Sequence, residues 1–197
     1  MRITKQLLEE KSACSNGKTW FEEHFPEGGE YQDVLDKLAE YNKPNYAEWL
    51  LCVFGYTDTV YEAESITAVH FFFAGTIRVT GSISVELSLK AGDGIEAGEG
   101  IEAGRGIEAG DGIKAGWGIK AGWGIKAGDG IEAGWGIEAG DNIEAGDVIE
   151  AGDGIKAGDG FGIFAGVSIQ ISRWQDSAKV IAKYKPDNLI SGFWAGE

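Results

Sequence analysis

Cysteine and long apolar runs are both scarce in this chain of 197 residues. The two cysteines, Cys14 and Cys52, fall within apolar helical patterns, so we expect buried free thiols and neither a disulfide framework nor a zinc site. The first residues, MRITKQLLEEKS, lack the apolar stretch of a signal peptide, and no window approaches the roughly eighteen apolar residues of a membrane span. These absences predict a soluble protein of the reducing cytoplasm.

Positive charge is also in short supply. Lysine and arginine number 17 against 32 aspartates and glutamates, which gives a formal net charge of −15. Nucleic acid and anionic membranes would repel such a chain, so direct binding to either is not expected. The natural partners are basic proteins, in particular proteins or complexes that themselves bind nucleic acid.

Apolar and aromatic residues recur at helical spacing in residues 1–55, which predicts a small N-terminal domain of three or four helices. Thr4 is placed to cap the first helix. Asn45 and Glu48 resemble a capping box at the start of the last helix, and Gly55 ends it. Nothing titratable clusters with the aromatic residues, so we attribute them to the core. A connector follows at residues 56–70.

A repeat of six residues dominates the middle of the chain. Its unit, Ile-(Glu/Lys)-Ala-Gly-X-Gly, occurs twelve times between Leu89 and Gly160, and the same apolar phase begins at Phe71. Alternation places Ile and Ala inside and the charged residue outside a short strand, while Gly-X-Gly forms the corner. The first corner glycine occurs in all twelve units, which indicates a left-handed backbone or a very close approach. Asn142 and Val148 replace the second, so positive φ is not compulsory there.

The outward charges select the coil size, because stacked side chains on adjacent coils lie about 4.8 Å apart and like charges repel there. Three units per coil give opposite signs to eight of nine neighbouring pairs, against six of ten for two units and six of eight for four. The columns are Lys90, Glu108, Lys126, Glu144; Glu102, Lys120, Glu138, Lys156; and Glu96, Lys114, Glu132, Glu150. This favours a triangular β-solenoid with about 18 residues per coil.

The same register stacks the corner residues into three columns. These columns are Asp93, Asp111, Asp129, Asp147; Glu99, Trp117, Trp135, Asp153; and Arg105, Trp123, Asp141, Asp159. We predict that the acidic corners bind the partner, and these residues are Asp93, Asp111, Asp129, Asp147, Asp141, Asp153 and Asp159. A second candidate for a binding edge is formed by Trp117, Trp123 and Trp135.

The repeat period breaks near the C-terminus. Ile169 and Ile171 belong to an alternating run that predicts a last coil, so the solenoid is expected to span residues 71–172. Residues 173–197 supply bulky apolar groups such as Trp174, which are suited to cover the open end of a repeat array. The predicted class is therefore α+β, with a small helical domain, a triangular β-solenoid and a C-terminal cap.

The repeat array is strongly acidic, with fifteen carboxylates and six basic side chains and a net charge of −9. At the usual strand spacing this is about one net charge per 2 Å of axis, close to the roughly 1.7 Å of duplex DNA. A rigid rod of this kind is suited to occupy a positively charged DNA channel while offering no base to read. The alternative is that the charges serve only solubility and pairing between coils.

The whole layout resembles phage and prophage accessory proteins. The resemblance rests on a head with Ile3-Thr4-Lys5, Ala13-Cys14, Gly17 and Trp20-Phe21, followed by Gly-Ile-(Glu/Lys)-Ala-Gly repeats. Acidic, DNA-mimicking anti-CRISPR inhibitors of type I effector complexes are among these proteins. The resemblance implies an inhibitor in the cytoplasm of an infected or lysogenic bacterium that occupies the DNA-binding surface of a type I CRISPR surveillance complex. It carries over no individual contact residue.

Other functional classes fit less well. Hexapeptide acyltransferases also build triangular solenoids, but their repeat has a small residue at the fifth position, where this chain has Asp, Glu, Trp or Arg. His24 and His70 lie outside the repeats and leave them without a general base, so we expect no enzymatic activity, cofactor or metal. A structural phage component, such as a tail-spike or spacer solenoid, remains the alternative. That role is typically trimeric, whereas we expect an inhibitor to be a monomer or dimer.

Overall fold

The computed structural model describes residues 1–167 and 177–196. Four short helices precede a β-solenoid of about seven turns with about 18 residues per turn. The predicted α+β class and the triangular coil are thereby confirmed. No helix in this described part of the chain is long and apolar enough to cross a membrane.

The head of the molecule combines the four helices with a two-stranded antiparallel pairing. In chain order its elements are β1 (Arg2–Ile3), α1 (Lys5–Glu10), α2 (Ser15–His24), β2 (Gly29–Glu30), α3 (Tyr31–Glu40) and α4 (Pro44–Phe54). As predicted, the Thr4 hydroxyl caps α1 by accepting the Leu7 amide at 3.2 Å. Gly55 ends α4 with a φ of 72°, which is also as predicted.

The start of α4 differs from the prediction. The helix begins at Pro44 and no side chain caps it, so the capping box assigned to Asn45 and Glu48 is wrong. Proline has a φ suited to the first helical position and has no amide that needs a partner there. The chain therefore enters the helix without a polar cap.

The two cysteines are also placed differently, since both are exposed free thiols and not buried ones. Cys14 is the N-cap of α2, where its Sγ accepts the Gly17 amide at 3.4 Å. A thiol at a helix boundary serves as a weak hydrogen-bond acceptor. The apolar pattern counted it as a core residue and missed that role.

The solenoid strands are short, and most have three residues. They are β3 (Val60–Ala63), β4 (Ile66–Ala68), β5 (Phe71–Phe73), β6 (Thr76–Val79), β7 (Ile83–Val85), β8 (Leu89–Ala91), β9 (Ile95–Ala97), β10 (Ile101–Ala103), β11 (Ile107–Ala109), β12 (Ile113–Ala115), β13 (Ile119–Ala121), β14 (Ile125–Ala127), β15 (Ile131–Ala133), β16 (Ile137–Ala139), β17 (Ile143–Ala145), β18 (Ile149–Ala151), β19 (Ile155–Lys156), β20 (Ile163–Phe164), β21 (Lys179–Ile181), β22 (Leu189–Ser191) and β23 (Phe193–Trp194).

These strands form three parallel sheets, which are the faces of the triangle. The eight-stranded face contains β3, β6, β9, β12, β15, β18, β21 and β23. The six-stranded face contains β4, β7, β10, β13, β16 and β19, and the seven-stranded face contains β5, β8, β11, β14, β17, β20 and β22. Each strand thus pairs with the strand one coil away, and successive strands along the chain lie on different faces.

The solenoid begins earlier than the predicted start at Phe71. Strands β3 and β4 already pair with β6 and β7, so residues 60–68, which were assigned to a connector, belong to the first coil. Tyr61 is paired with Ile77, a spacing of 16 residues, whereas the strands from Phe71 to Ile155 pair at a spacing of 18. The shortened first coil breaks the six-residue phase, and this is why the repeat pattern did not reveal it.

The isoleucine and alanine of each unit form the solenoid core, as alternation predicts. The isoleucines from Ile95 to Ile155 are at most 5% exposed. The first corner glycine is required by close packing between coils, since a Cβ at Gly110 would lie 2.0 Å from the carbonyl oxygen of Gly92. No glycine of the described repeats before Gly160 has a positive φ. The close approach of adjacent coils, and not a left-handed backbone, therefore explains why every unit has glycine at this position.

The head packs directly on the first complete coil. Phe71 and Phe73 pack against the solenoid core, while Phe72 between them is 1% exposed and belongs to the core of the head. The Gln32 side chain of α3 donates to the Phe72 carbonyl at 2.8 Å and accepts the Ala74 amide at 3.0 Å. The first strand of the seven-stranded face is therefore covered by the head.

The C-terminal cap continues the sheets of the solenoid. Strand β21 pairs with β18, β22 with β20 and β23 with β21, all in parallel. Val180 and Ala182 of this segment join the solenoid core. The predicted alternation at Ile169 and Ile171, and Trp174 of the predicted cap, lie outside the described residues.

Candidate interaction surfaces of the solenoid

The four aspartates Asp93, Asp111, Asp129 and Asp147 stack on one edge, which we call the aspartate corner. It separates the seven-stranded from the eight-stranded face. The last three aspartates each donate their amide to the carbonyl of the preceding one, at 3.3 to 3.4 Å. The backbone thus fixes four carboxylates at the spacing of successive coils, about 4.8 Å.

The surroundings of these carboxylates differ. Asp93 accepts the Thr76 hydroxyl at 2.7 Å, whereas Asp111 and Asp129 are exposed. Partial burial raises the pKa of Asp111, and the negative charges of Asp129 and Asp93 raise it further. The Oδ1 atom of Asp147 is buried without a hydrogen-bond partner. The column therefore holds like charges that a cationic partner would stabilise.

A second edge, the tryptophan corner, contains Glu99, Trp117, Trp135 and Asp153 and lies between the eight-stranded and six-stranded faces. The two indoles are stacked with centroids 5.6 Å apart and planes 8° from parallel. They remain 46% and 61% exposed, respectively. The Trp135 amide donates to the Trp117 carbonyl at 2.9 Å, and the Asp153 amide donates to the Trp135 carbonyl at 2.8 Å.

The third edge is the mixed corner, with Arg105, Trp123, Asp141 and Asp159. The Arg105 guanidinium lies over the Trp123 indole, with its carbon 5.1 Å from the ring centroid. Asp141 continues the column through a hydrogen bond from its amide to the Trp123 carbonyl at 3.1 Å. Asp159 lies in the turn at Gly160, whose φ is 84° and where the regular repeat ends.

The three tryptophans therefore do not share one edge, as the second predicted binding site required. Trp117 and Trp135 are at one border of the six-stranded face and Trp123 is at the opposite border. The cause is the corner register, in which consecutive units occupy successive corners of the triangle. Among the three corners as far as they are described, only the tryptophan corner presents stacked indoles, and its column continues past Asp153 to Lys183, whose amide donates to the Asp153 carbonyl at 2.9 Å.

The outward charged residues of the strands stack in the predicted columns, but few of them lie close enough to form salt bridges. Lys114 and Glu132 do so at 2.8 Å, and Lys90 and Glu108 at 2.5 Å. On the six-stranded face, Glu102, Lys120, Glu138 and Lys156 stand in register without an ion pair within 4.0 Å among the described residues. An open groove of about 640 Å³ runs along this face beside the tryptophan corner.

Lys90 has a role that the repeat pattern did not indicate. The head covers its side chain, which is only 6% exposed, and its Nζ lies between Glu108 at 2.5 Å and Glu48 of α4 at 3.3 Å. The pattern predicted an outward, solvated lysine, because it contains no information on where the head packs. This ion pair ties α4 to the seven-stranded face.

Both histidines take part in packing contacts. His24 stacks on Trp20 with ring centroids 4.5 Å apart. His70 accepts the Ser88 amide at Nδ1 at 3.2 Å and has Nε2 2.9 Å from Asn42 Oδ1, an arrangement that suits the neutral ring with its proton on Nε2. Burial lowers the pKa of His70. Within residues 1–167 and 177–196, no group of three acidic, histidine or cysteine side chains is arranged to hold a metal ion.

A cavity of about 340 Å³ lies within the head. Trp20, Phe21 and Trp49 are among its lining residues, and the Trp20 Nε1 atom is buried without a hydrogen-bond partner. The prediction treated these aromatic residues as core, and Trp20 and Phe21 are indeed in the core of the head. The head thus has a largely apolar pocket beside its core.

These features define a helical head joined to an acidic, triangular β-solenoid of hexapeptide repeats. Residues 1–57 match the family model of the YdhT N-terminal domain. The match ends before β3, so the similarity covers the four helices and not the repeats. Comparison with curated proteins and with solved structures gives no match.

Proposed function

We propose that this protein is a phage- or prophage-encoded inhibitor that mimics DNA and occupies the positively charged DNA-binding surface of a host defence complex. The candidate partner is a type I CRISPR surveillance complex, which makes the protein an anti-CRISPR. The observation that supports this proposal is the aspartate corner, where carboxylates are held at coil spacing along a rigid axis without a basic member. The proposal is that of a binding protein, with no catalytic step.

Rigidity adds to the effect of the charge. The backbone hydrogen bonds between coils fix each corner residue relative to the next, so binding would order few additional groups. A preorganised row of charges loses less conformational entropy on binding than a disordered acidic segment of equal charge. Lysine and arginine side chains along a DNA channel would meet a line of charge at close to the density of the duplex.

The proposal is tested by competition between this protein and DNA. A purified type I surveillance complex is first bound to labelled target DNA, and the intact protein is then titrated in. We expect displacement of DNA that weakens as ionic strength rises, because screening reduces the attraction of the exposed carboxylates. A disordered acidic peptide of equal net charge is the matched control and should compete less well. Unchanged DNA binding at low salt and large protein excess would contradict the proposal.

The oligomeric state separates this proposal from the structural alternative. A tail-spike or spacer solenoid is expected to be an obligate trimer, whereas an inhibitor that enters a DNA channel is expected to act as a monomer or dimer. Sedimentation equilibrium of the purified chain measures this directly. A stable trimer at low concentration would favour the structural role.

A further inference from the structure

The tryptophan corner is an exposed aromatic surface in an acidic environment. One face of the Trp135 indole is covered by Trp117, and its other face is directed along the column toward Asp153 of the next coil. Asp153 is exposed, and its carboxylate forms no hydrogen bond or ion pair with any described residue. A cation beside this indole would thus meet an aromatic face and an unpaired carboxylate together.

The mixed corner shows what such a site accepts. There the column contains an arginine one coil away from a tryptophan, and the Arg105 guanidinium lies over the Trp123 ring at 5.1 Å. The tryptophan corner has the same backbone geometry, with an amide-to-carbonyl hydrogen bond between successive coils. In place of the arginine it has a second indole on one side and a carboxylate on the other. Lys183 follows Asp153 in this column, since its amide donates to the Asp153 carbonyl at 2.9 Å, but its Nζ lies over the Tyr184 ring at 5.2 Å from the centroid. Among the described residues, no cation lies over the Trp135 indole.

Arginine suits this site better than lysine. Its guanidinium is planar, so it can stack on an indole while its edge donates hydrogen bonds to a carboxylate, and it is more weakly hydrated than an ammonium group. The adjoining groove adds acceptors from Glu102 and Glu138, but Lys120 and Lys156 also line it, so its own charge is balanced. The negative charge that favours a basic side chain at this corner therefore comes from Glu99 and Asp153.

We infer that Trp135 and Asp153 form a binding site for the guanidinium group of an arginine side chain of the protein partner. The inference deepens the proposed function, because it states which basic residue of the partner this edge recognises. It assigns to the tryptophan corner selectivity between basic side chains, whereas the aspartate corner attracts any cation.

The test compares two peptides of equal charge, hexa-arginine and hexa-lysine, by calorimetry with the intact protein at low salt. We expect the arginine peptide to bind about fivefold more tightly or more, the scale of a partly exposed cation–π contact. Trp135→Leu should remove this preference, and Asp153→Asn should weaken binding of the arginine peptide severalfold. Trp123→Leu is the matched control and should keep the preference, because the Arg105 guanidinium already lies over this indole and repels a second cation.

Equal affinity of the wild-type protein for the two peptides would overturn the inference without any variant. A preference that persists in folded Trp135→Leu protein would overturn it as well, and thermal melts establish that each variant is folded. Displacement of DNA from the surveillance complex without an arginine preference would refute this site and keep the proposed function. An arginine preference without displacement of DNA would support this site and refute the proposed function.

Discussion

Ile125 is typical of the inward isoleucines of the repeats, since it is 1% exposed and belongs to the solenoid core. Ile125→Asp would bury a carboxylate with no partner, so we expect a loss of more than about 3 kcal/mol in the free energy of unfolding. Ile125→Val removes one methyl group and should cost about 1 kcal/mol. Thermal melts followed by circular dichroism measure both changes. A cooperative Ile125→Asp melt near the wild-type temperature would contradict the assigned core position.

Two glycines of the same corner make it possible to measure the effect of close packing between coils separately from the effect of glycine on backbone flexibility. A Cβ at Gly152 would lie 2.1 Å from the Gly134 carbonyl oxygen, whereas a Cβ at Gly154 would meet no atom within 4 Å. Gly152→Ala should therefore destabilise the protein by about 2 kcal/mol or more, because adjacent coils must move apart. Gly154→Ala should be neutral or stabilise by up to about 1 kcal/mol, because alanine restricts the unfolded chain. Chemical denaturation measures both, and equal effects would show that backbone flexibility matters more than contact.

At the scale of elements, His70 joins the first coil to the head through Asn42 and Ser88. Burial lowers the pKa of His70, and the nearby charges of Arg105 and Lys90 lower it further. The unfolded chain thus takes up this proton near pH 6.5, and the folded chain takes it up only at lower pH. Between these two values the unfolded state binds more protons, so stability falls as the pH falls.

We therefore expect part of the stability lost between pH 7.5 and pH 5.5 to depend on His70. The His70→Gln variant should lose less stability over this interval than the wild type, although its absolute stability is lower at both pH values. Urea denaturation at the two pH values measures the difference. Parallel slopes for wild type and His70→Gln would show that this histidine is not the cause.

The repeats could be predicted in detail because their information is local and redundant. Each unit repeats the same alternation, and the alternating signs of residues such as Lys114 and Glu132 encode the distance to the next coil. The register, the inward residues and the three corner columns followed from these two patterns. Residues 60–68 were not recognised as part of the solenoid, because their coil is shorter and their sequence does not follow the six-residue repeat.

The contact between the head and the solenoid could not be predicted, and the reason is a different one. Phe72 and Lys90 stand at outward positions of their strands, and only the packing of α3 and α4 against the first coils buries them. Such burial depends on contacts between segments far apart in sequence, which no periodicity records. The same limit applies to the candidate site, where the pattern gave the columns but not the contact of Arg105 with Trp123.

At the scale of the whole molecule, the corners and the faces distribute charge differently. The charges of the faces alternate in sign along their columns, except for the pair Glu132 and Glu150, so much of their field cancels at a distance, while the aspartate corner has one sign throughout. A variant with Asp111→Asn, Asp129→Asn and Asp147→Asn keeps side-chain size and removes three charges. We expect it to fold, with stability at neutral pH unchanged or raised slightly. The raised pKa of Asp111 indicates that the folded state disfavours this charge, so any gain should vanish at acidic pH, where the carboxylates are protonated.

Partner binding by this triple variant is the most direct measure of whether the aspartate corner is functional. We expect its affinity for the basic partner to fall and the dependence of that affinity on salt to become shallower, because fewer ion contacts remain to be screened.

The matched control removes the same net charge from the faces, by replacing with glutamine the exposed residues Glu102, Glu138 and Glu150. If affinity depends only on total charge, both variants lose equally. If the corner is the contact surface, the aspartate variant loses substantially more at every salt concentration. Equal binding by the aspartate variant and the wild type would reduce the aspartate corner to a device for solubility, and the tryptophan corner or the head would then have to make the contact.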